Sequence, residues 1–195
     1  MTSIIIKKNS LIIGGIVVLV AVAGVLFWFF ELKKPAVKEQ VLSYSKFTSD
    51  IGFEAEYLNW QKLEITNPEA GMPGDLAAKE NIKILLYVTN GAAVVQISER
   101  SFDPKSAFKD NIESMLKNQK ELVKDLLIWR YQPGATTSLI EATSMLNGVK
   151  MHTVSKAFDM KNGKIYSIAF ITADNNFKMF KDIAERVIYS AKVWR

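Results

Sequence analysis

Cysteine is absent from this chain of 195 residues, and histidine occurs once, at His152. Without cysteine there can be no disulfide framework, no thiolate zinc site, no cysteine nucleophile and no lipid carried on a lipobox cysteine. The compartment stays open, because extracytoplasmic proteins need not use disulfides. A single histidine excludes a multi-histidine metal centre. A strong charge of one sign is also missing. Lys and Arg number 25 against 20 Asp and Glu, a net of +5. From residue 31 onward 23 basic face 20 acidic side chains, interspersed and not gathered into a stripe. A nucleic-acid binder neutralises several phosphates with such a stripe, so nucleic acid is not an expected partner.

What the chain does have is one long apolar run. Leu11 to Phe30 holds 20 residues without a charge. At ~1.5 Å per residue it spans ~30 Å, the thickness of a bilayer's hydrocarbon core. It reads as a single transmembrane anchor. A cleaved secretory signal is the competing reading, with Lys7-Lys8 as its basic end and Ala21-Val22-Ala23 as its cleavage site. Cleavage there strands the aromatic end, Phe27-Trp28-Phe29-Phe30, at a new N-terminus, whereas an intact helix puts it where interfacial aromatic belts lie. Lys7 and Lys8 nearly balance Lys33, Lys34 and Lys38 across the run. The ten-residue tail favours an inside N-terminus and an extracytoplasmic C-terminal domain. The expected organisation is a tail (1–10), an anchor (11–30), a polar tether (31–45) and one domain (46–195), the usual size for a single core.

Within the domain, Asn90-Gly91, Asn147-Gly148 and Asn162-Gly163 mark three hairpins, expected to turn in the type I′ form. Ile82 to Val88 and Ala92 to Ile97 flank the first; Ser138 to Leu146, Val149 to Phe158 and Lys164 to Ile171 form a meander around the others. The last of these is apolar on both faces, with Tyr166, Ile168 and Phe170 against Ile165, Ala169 and Ile171, so it should be central and covered on both sides. Two amphipathic helices can supply the cover. The first opens at Asp103-Pro104 and runs to about Leu126; the second runs from about Asn175 to Ala191, with Phe177, Phe180, Ala184, Val187 and Ile188 inward. Gly52 to Tyr57 and Trp60 to Ile65 add two earlier strands. The class is α+β, in the order β-β-β-β-α-β-β-β-α around an antiparallel sheet.

That order, with Phe53-Glu-Ala-Glu-Tyr57 leading into Asn59-Trp60, the strand pair about Asn147-Gly148 and the closing helix Phe177 to Ser190, resembles PsbP-like domains from about Phe47 to Trp194. The family is named for an extrinsic subunit of the oxygen-evolving photosystem. Leu58 departs from the family's pattern, which commonly has proline before the tryptophan, and Val193-Trp194 departs from its small-aromatic ending. The resemblance implies an α/β/α sandwich, an antiparallel sheet flanked by two helices. It implies no site residue.

Catalytic constellations are sparse. His152 lies in a strand with Val154 on the same face; as a base beside Ser155 or Ser167 it needs an orienting acid and an oxyanion hole, and no Gly-x-Ser-x-Gly elbow exists. A packed strand histidine is the simpler expectation. Gly163-Lys164 lacks the rest of a phosphate loop and reads as a turn. Glu54 and Glu56 share one strand face about 7 Å apart, which suits a solvated edge better than a cation site. Phe53, Tyr57 and Trp60 are expected in the core. The loop Asn67 to Asp75, with Met72 at its middle, is long enough to carry a partner contact or to be a simple insertion.

No catalytic, cofactor or metal residue is assigned. The expected function is a non-catalytic, membrane-tethered binding or assembly module that docks on an envelope protein or complex. The alternatives are a small-ligand or lipid binder with a cavity between sheet and helix, and a hydrolase working with carboxylates.

Overall fold

The computed structural model describes residues 42–63, 82–102, 104–122, 125–146 and 148–194. The run from Leu11 to Phe30, the tether up to residue 41, the Asn67 to Asp75 loop, Asp103 and Asn147 lie outside the described residues. Among the described residues no helix is long and apolar enough to cross a membrane.

Among the described residues ten strands and two helices follow in the order β1 (Tyr44–Thr48), β2 (Phe53–Leu58), β3 (Gln61–Lys62), β4 (Ile82–Thr89), β5 (Ala93–Ser101), α1 (Phe108–Leu122), β6 (Leu127–Pro133), β7 (Thr137–Leu146), β8 (Val149–Asp159), β9 (Lys164–Ala173), α2 (Asp174–Ser190) and β10 (Lys192–Val193). They build two antiparallel sheets. The larger has seven strands in the order β3-β4-β5-β9-β8-β7-β6; the smaller has three, β1-β2-β10. The α+β class and the two flanking helices are as the sequence implies.

β9 is the middle strand of the large sheet. Its alternation separates two cores. Ile165, Ala169 and Ile171 pack with Phe108, Ile112 and Leu116 of α1. Tyr166, Ile168 and Phe170 pack with Phe180, Ala184, Val187 and Ile188 of α2 and with Phe53, Ala55 and Leu58 of β2. A strand apolar on both faces has no stable place at an edge, and this one is covered on both sides. On the α2 side the rings interlock: Phe53 sits 5.4 Å from Phe158 and 5.3 Å from Tyr166, and Trp60 lies 6.2 Å from Phe170 and 6.3 Å from Phe180.

Three strands go beyond the sequence reading. β1 starts at Tyr44, inside the stretch read as tether, and its half-exposed residues alternate too weakly to stand out. β6 carries a bulge between Ile128 and Arg130 that breaks its period of two. β10 is two residues long. The first helix also differs: it starts at Phe108, not after Asp103. The β5 to β9 ladder continues past its last pair through Phe102 N–H to the Gly163 carbonyl at 2.8 Å, and Pro104 and Lys105 form a turn ahead of the helix. The helix ends at Leu122, and Asp125 takes a positive φ of 68° before β6.

The first and third turns differ from type I′ as well. In the first hairpin Gly91 has φ of 85°, while Asn90 is not among the described non-glycine residues with positive φ. Asn90 Oδ1 instead accepts the N–H groups of Ala92 and Ala93, both at 2.9 Å. In the third, Lys161 and Gly163 take the positive φ values, and Asp159 Oδ1 accepts the N–H of Lys161. In the first turn the Asn90 acceptor stands in for a second left-handed residue; in the third the two left-handed residues are not adjacent.

Gly52 is required on steric grounds. Its φ is 87°, and a Cβ there would overlap the carbonyl oxygen of Trp194, whose N–H donates to Gly52 O at 2.8 Å. This contact fastens the chain's last described residues to the start of β2.

Candidate functional site

His152 sits on β8 with its side chain on the α2 face, as Val154 does two residues on. It is 7 % exposed and bridges three elements. Nε2 lies 2.9 Å from Glu141 Oε1 of β7, and Nδ1 lies 3.0 Å from Asp174 Oδ1, the first residue of α2. The ring stacks on Phe177 at 3.5 Å and 8°. Asp174 is also bonded by Lys150 Nζ at 2.8 Å. Lys150, then His152, hold its carboxyl below the usual carboxylate range. A negative charge here also complements the helix N-terminus, where no side chain caps the free N–H groups.

This arrangement ties β7, β8 and α2 together. Both ring nitrogens face carboxylate oxygens, so neither is free to take a proton from a substrate. A neutral imidazole has one N–H, and both contacts become donor-to-acceptor bonds with the ring doubly protonated. Ser155 and Ser167, the hydroxyls nearest in sequence pattern, are on the opposite face of the sheet, and Ser167 Oγ is 2.9 Å from Ser98 Oγ. The packed strand histidine describes His152 better than a general base. The orienting acids, which the sequence reading lacked, are Glu141 and Asp174, 11 and 22 residues away. Among the described residues no group of three or more His, Cys, Asp or Glu is placed to hold a metal ion.

Glu54 and Glu56 share a strand face, but β2 is the middle strand of its sheet, not an edge. Glu54 lies between Lys46 at 2.6 Å and Lys192 at 3.0 Å, and these two bonds hold its carboxyl low. Glu56 pairs with Arg186 at 3.1 Å, and the guanidinium rests 3.7 Å from the Tyr44 ring. They line an open cleft of about 350 Å³ with Ser190. Each carboxylate is already met by cations. Phe53 is fully buried, and Tyr57 and Trp60 pack partly buried against the same core. Gly163 and Lys164 form the β8–β9 turn and strand start.

Elsewhere, Lys156 Nζ donates to the Ala191 carbonyl just past α2 at 3.2 Å and lies 4.9 Å from the Phe158 ring, with burial pulling its pKa down. Glu99 is drawn upward by burial but more strongly downward by bonds from Lys164 and Tyr166 taken together. The Tyr166 phenol is pushed up to about 12 by burial and by Glu99.

The edge strand β6 presents an apolar surface instead of a charged one. Leu127 is 50 %, Trp129 58 % and Met145 of neighbouring β7 41 % exposed, on the part of the sheet that α2 leaves open. Trp129 is held by Nε1 donating to Thr143 Oγ1 at 3.1 Å, with Lys150 Nζ 5.8 Å from its ring. The bulge lies beside it, between Ile128 and Arg130.

No protein-family model and no curated protein matches this sequence. Solved structures do. The cyanobacterial PsbP (CyanoP) of Synechocystis matches with a TM-score of 0.55 at 10% identity, over 84% of this chain and 99% of that one. PA94 of Pseudomonas aeruginosa, a protein of unknown function, matches with 0.47 at 9% identity, over 78% and 97%. LpqN of Mycobacterium tuberculosis, involved in cell envelope biogenesis, matches with 0.46 at 9% identity, over 80% and 94%. At such identity the likeness concerns architecture: the fold of this chain is PsbP-like.

Proposed function

We propose that this chain is a membrane-tethered, non-catalytic binding module that stands outside the cytoplasmic membrane and docks on an envelope protein through the β6 edge. The observation that carries the reading is the exposed group Leu127, Trp129 and Met145 on an edge strand. Exposed apolar groups on an unpaired edge favour contact with another protein, which both covers them and satisfies the open backbone groups. Tryptophan held in one orientation is also a frequent anchor in interfaces, because little side-chain freedom remains to be lost. Three observations agree with a non-catalytic role: His152 has both nitrogens engaged, Glu54 and Glu56 are met by cations, and Ser155 and Ser167 lie on the far face. The anchor rests on the charge-free Leu11 to Phe30 run alone.

Photo-crosslinking in intact cells tests this. A photoreactive residue in place of Trp129 should give a discrete heavier adduct, which Leu127→Asp removes, while the same residue in place of Lys178 on α2 should not. A chain that stays uncrosslinked at position 129 under all growth conditions overturns the docking reading. Protease accessibility of the domain in spheroplasts reports its side of the membrane.

A further inference from the structure

The α1 face of the large sheet is built differently from its α2 face. The pairing registers place Tyr87, Gln96, Ala169, Ser155, Ile140 and Tyr131 in one row across six strands, from β4 to β6. The next row runs through Ser98, Ser167, Ala157 and Ser138. Alternation puts both rows under α1, because Val94 and Ala169 belong to the core that Phe108, Ile112 and Leu116 close over. The centre of this face is therefore floored by serine and alanine, with a tyrosine at either end and an apolar helix above. A large flat sheet under a helix normally offers branched aliphatic side chains there.

Polar groups on this floor lack partners. Gln96 is 1 % exposed, and neither Oε1 nor Nε2 has a hydrogen bond. The same holds for Tyr87 Oη, directly across the β4–β5 pair from it. Tyr131 Oη and Ser138 Oγ, at the β6 end of the floor, have only each other. All lie on the α1 face. On the α2 face the buried Thr143, Thr172 and His152 are each bonded, and on the α1 face so are Thr89 and Ser98. Leaving a buried donor or acceptor unpaired is costly, so the Gln96 amide and the Tyr87 hydroxyl, side by side on one face, call for a complementary partner.

We infer that the sheet surface beneath α1, around Gln96 and Tyr87, is a binding site for an uncharged small molecule that presents an amide or imide edge to Gln96. The chemistry follows from the groups. The Gln96 carboxamide offers a donor and an acceptor side by side, which a lactam or imide edge meets with an acceptor and a donor in the same plane. Tyr87, Tyr131 and Ser138 add neutral hydroxyls, and no charged side chain belongs to either row, so an ion finds no counter-charge and is disfavoured by desolvation. Phe108, Ile112 and Leu116 supply an apolar roof for the rest of the ligand. This site is independent of docking at β6, being on another face of the molecule.

The test uses the full chain in detergent micelles, labelled with ¹⁵N at glutamine side chains and titrated with caprolactam, glutarimide, N-methylcaprolactam and hexanoate. The Gln96 side-chain signal is assigned by its loss in Gln96→Leu. Caprolactam or glutarimide should shift that signal, with N-methylcaprolactam and hexanoate at least tenfold weaker. In Ala169→Leu, which raises the floor while leaving Gln96 in place, the shift should vanish; backbone resonances in both variants report whether the fold is kept. If the signal stays put with every probe, or shows only exchange with bound water that no probe displaces, the site holds ordered water and the inference is wrong. Equal response to N-methylcaprolactam overturns the amide-edge chemistry.

Discussion

The two faces of the seven-stranded sheet are covered by helices of similar amphipathic design, yet they are not equivalent. On the α2 face, aromatic rings from β2, β8, β9 and α2 interlock, the three-stranded sheet adds a further layer, and the buried Thr143, Thr172 and His152 are bonded. On the α1 face small side chains and unpartnered polar atoms occupy the middle. A helix that interdigitates with large side chains gains dispersion and burial at every ridge, whereas one lying over serine and alanine gains less from each residue it buries. The α2 face is accordingly the one that holds the domain together, and the α1 face is the one with binding capacity to spare.

The largest expected effect tests that division of labour. Phe170→Ala on the α2 face should cost about 3–5 kcal/mol in urea unfolding, as aromatic truncation in a tight core does. The counterpart Phe108→Ala on α1 should cost clearly less; equal losses would break the comparison. Next, Gly52→Ala forces a left-handed residue with a Cβ against the Trp194 carbonyl. It should cost about 1–3 kcal/mol. Hydrogen exchange should rise at β10 and β2 and leave α1 unchanged; a uniform rise would mean that the three-stranded sheet is not a separate layer of the α2 side.

Gln96→Leu is expected to act in the opposite direction. It removes two buried unpartnered atoms and should raise the stability of the ligand-free chain by about 1–2 kcal/mol, measured by thermal unfolding. A loss of that size would show that the amide is already satisfied and that the α1 face is no different from the other. The smallest effect concerns Asp174. Its folded-state pKa lies below the ordinary value, first because of Lys150 and then His152. The stabilisation is therefore fully present above the unfolded-state pKa and is lost as pH falls through the carboxylate range toward the folded-state value. Partial exposure limits it to about 0.5–1 kcal/mol. Asp174→Asn should flatten that part of the stability-against-pH curve, and an unchanged slope would assign it to other carboxylates.

Much of this architecture is visible in local pattern. The two-sided apolar run Ile165 to Ile171 implies a covered central strand, because neither face of it can be left in water. The spacing of Phe180, Ala184, Val187 and Ile188 implies one helix face on a sheet. β6 escapes such a reading because its bulge at Trp129 interrupts the period, and β1 because its exposed residues read as linker. The site features escape for another reason. Gln96 stands out weakly, as a polar residue within Val94-Val95-Gln96-Ile97, but nothing local tells that Ala169, Ser155 and Ser138 lie beside it. Glu141 and Asp174 reach His152 only after β7, β8 and the start of α2 are in place.

Local chemistry by itself determined the helices, most strands, the central position of β9 and the charge-free run before the domain, since these depend on periodicity and on which residues tolerate water. Tertiary structure decided the rest: the split into two sheets, the pairing of Glu54 and Glu56 with cations, the enclosure of His152 and the polar floor under α1. Each of those depends on register between strands far apart in the chain, and a register is set by the packing of the whole core, not by any one segment.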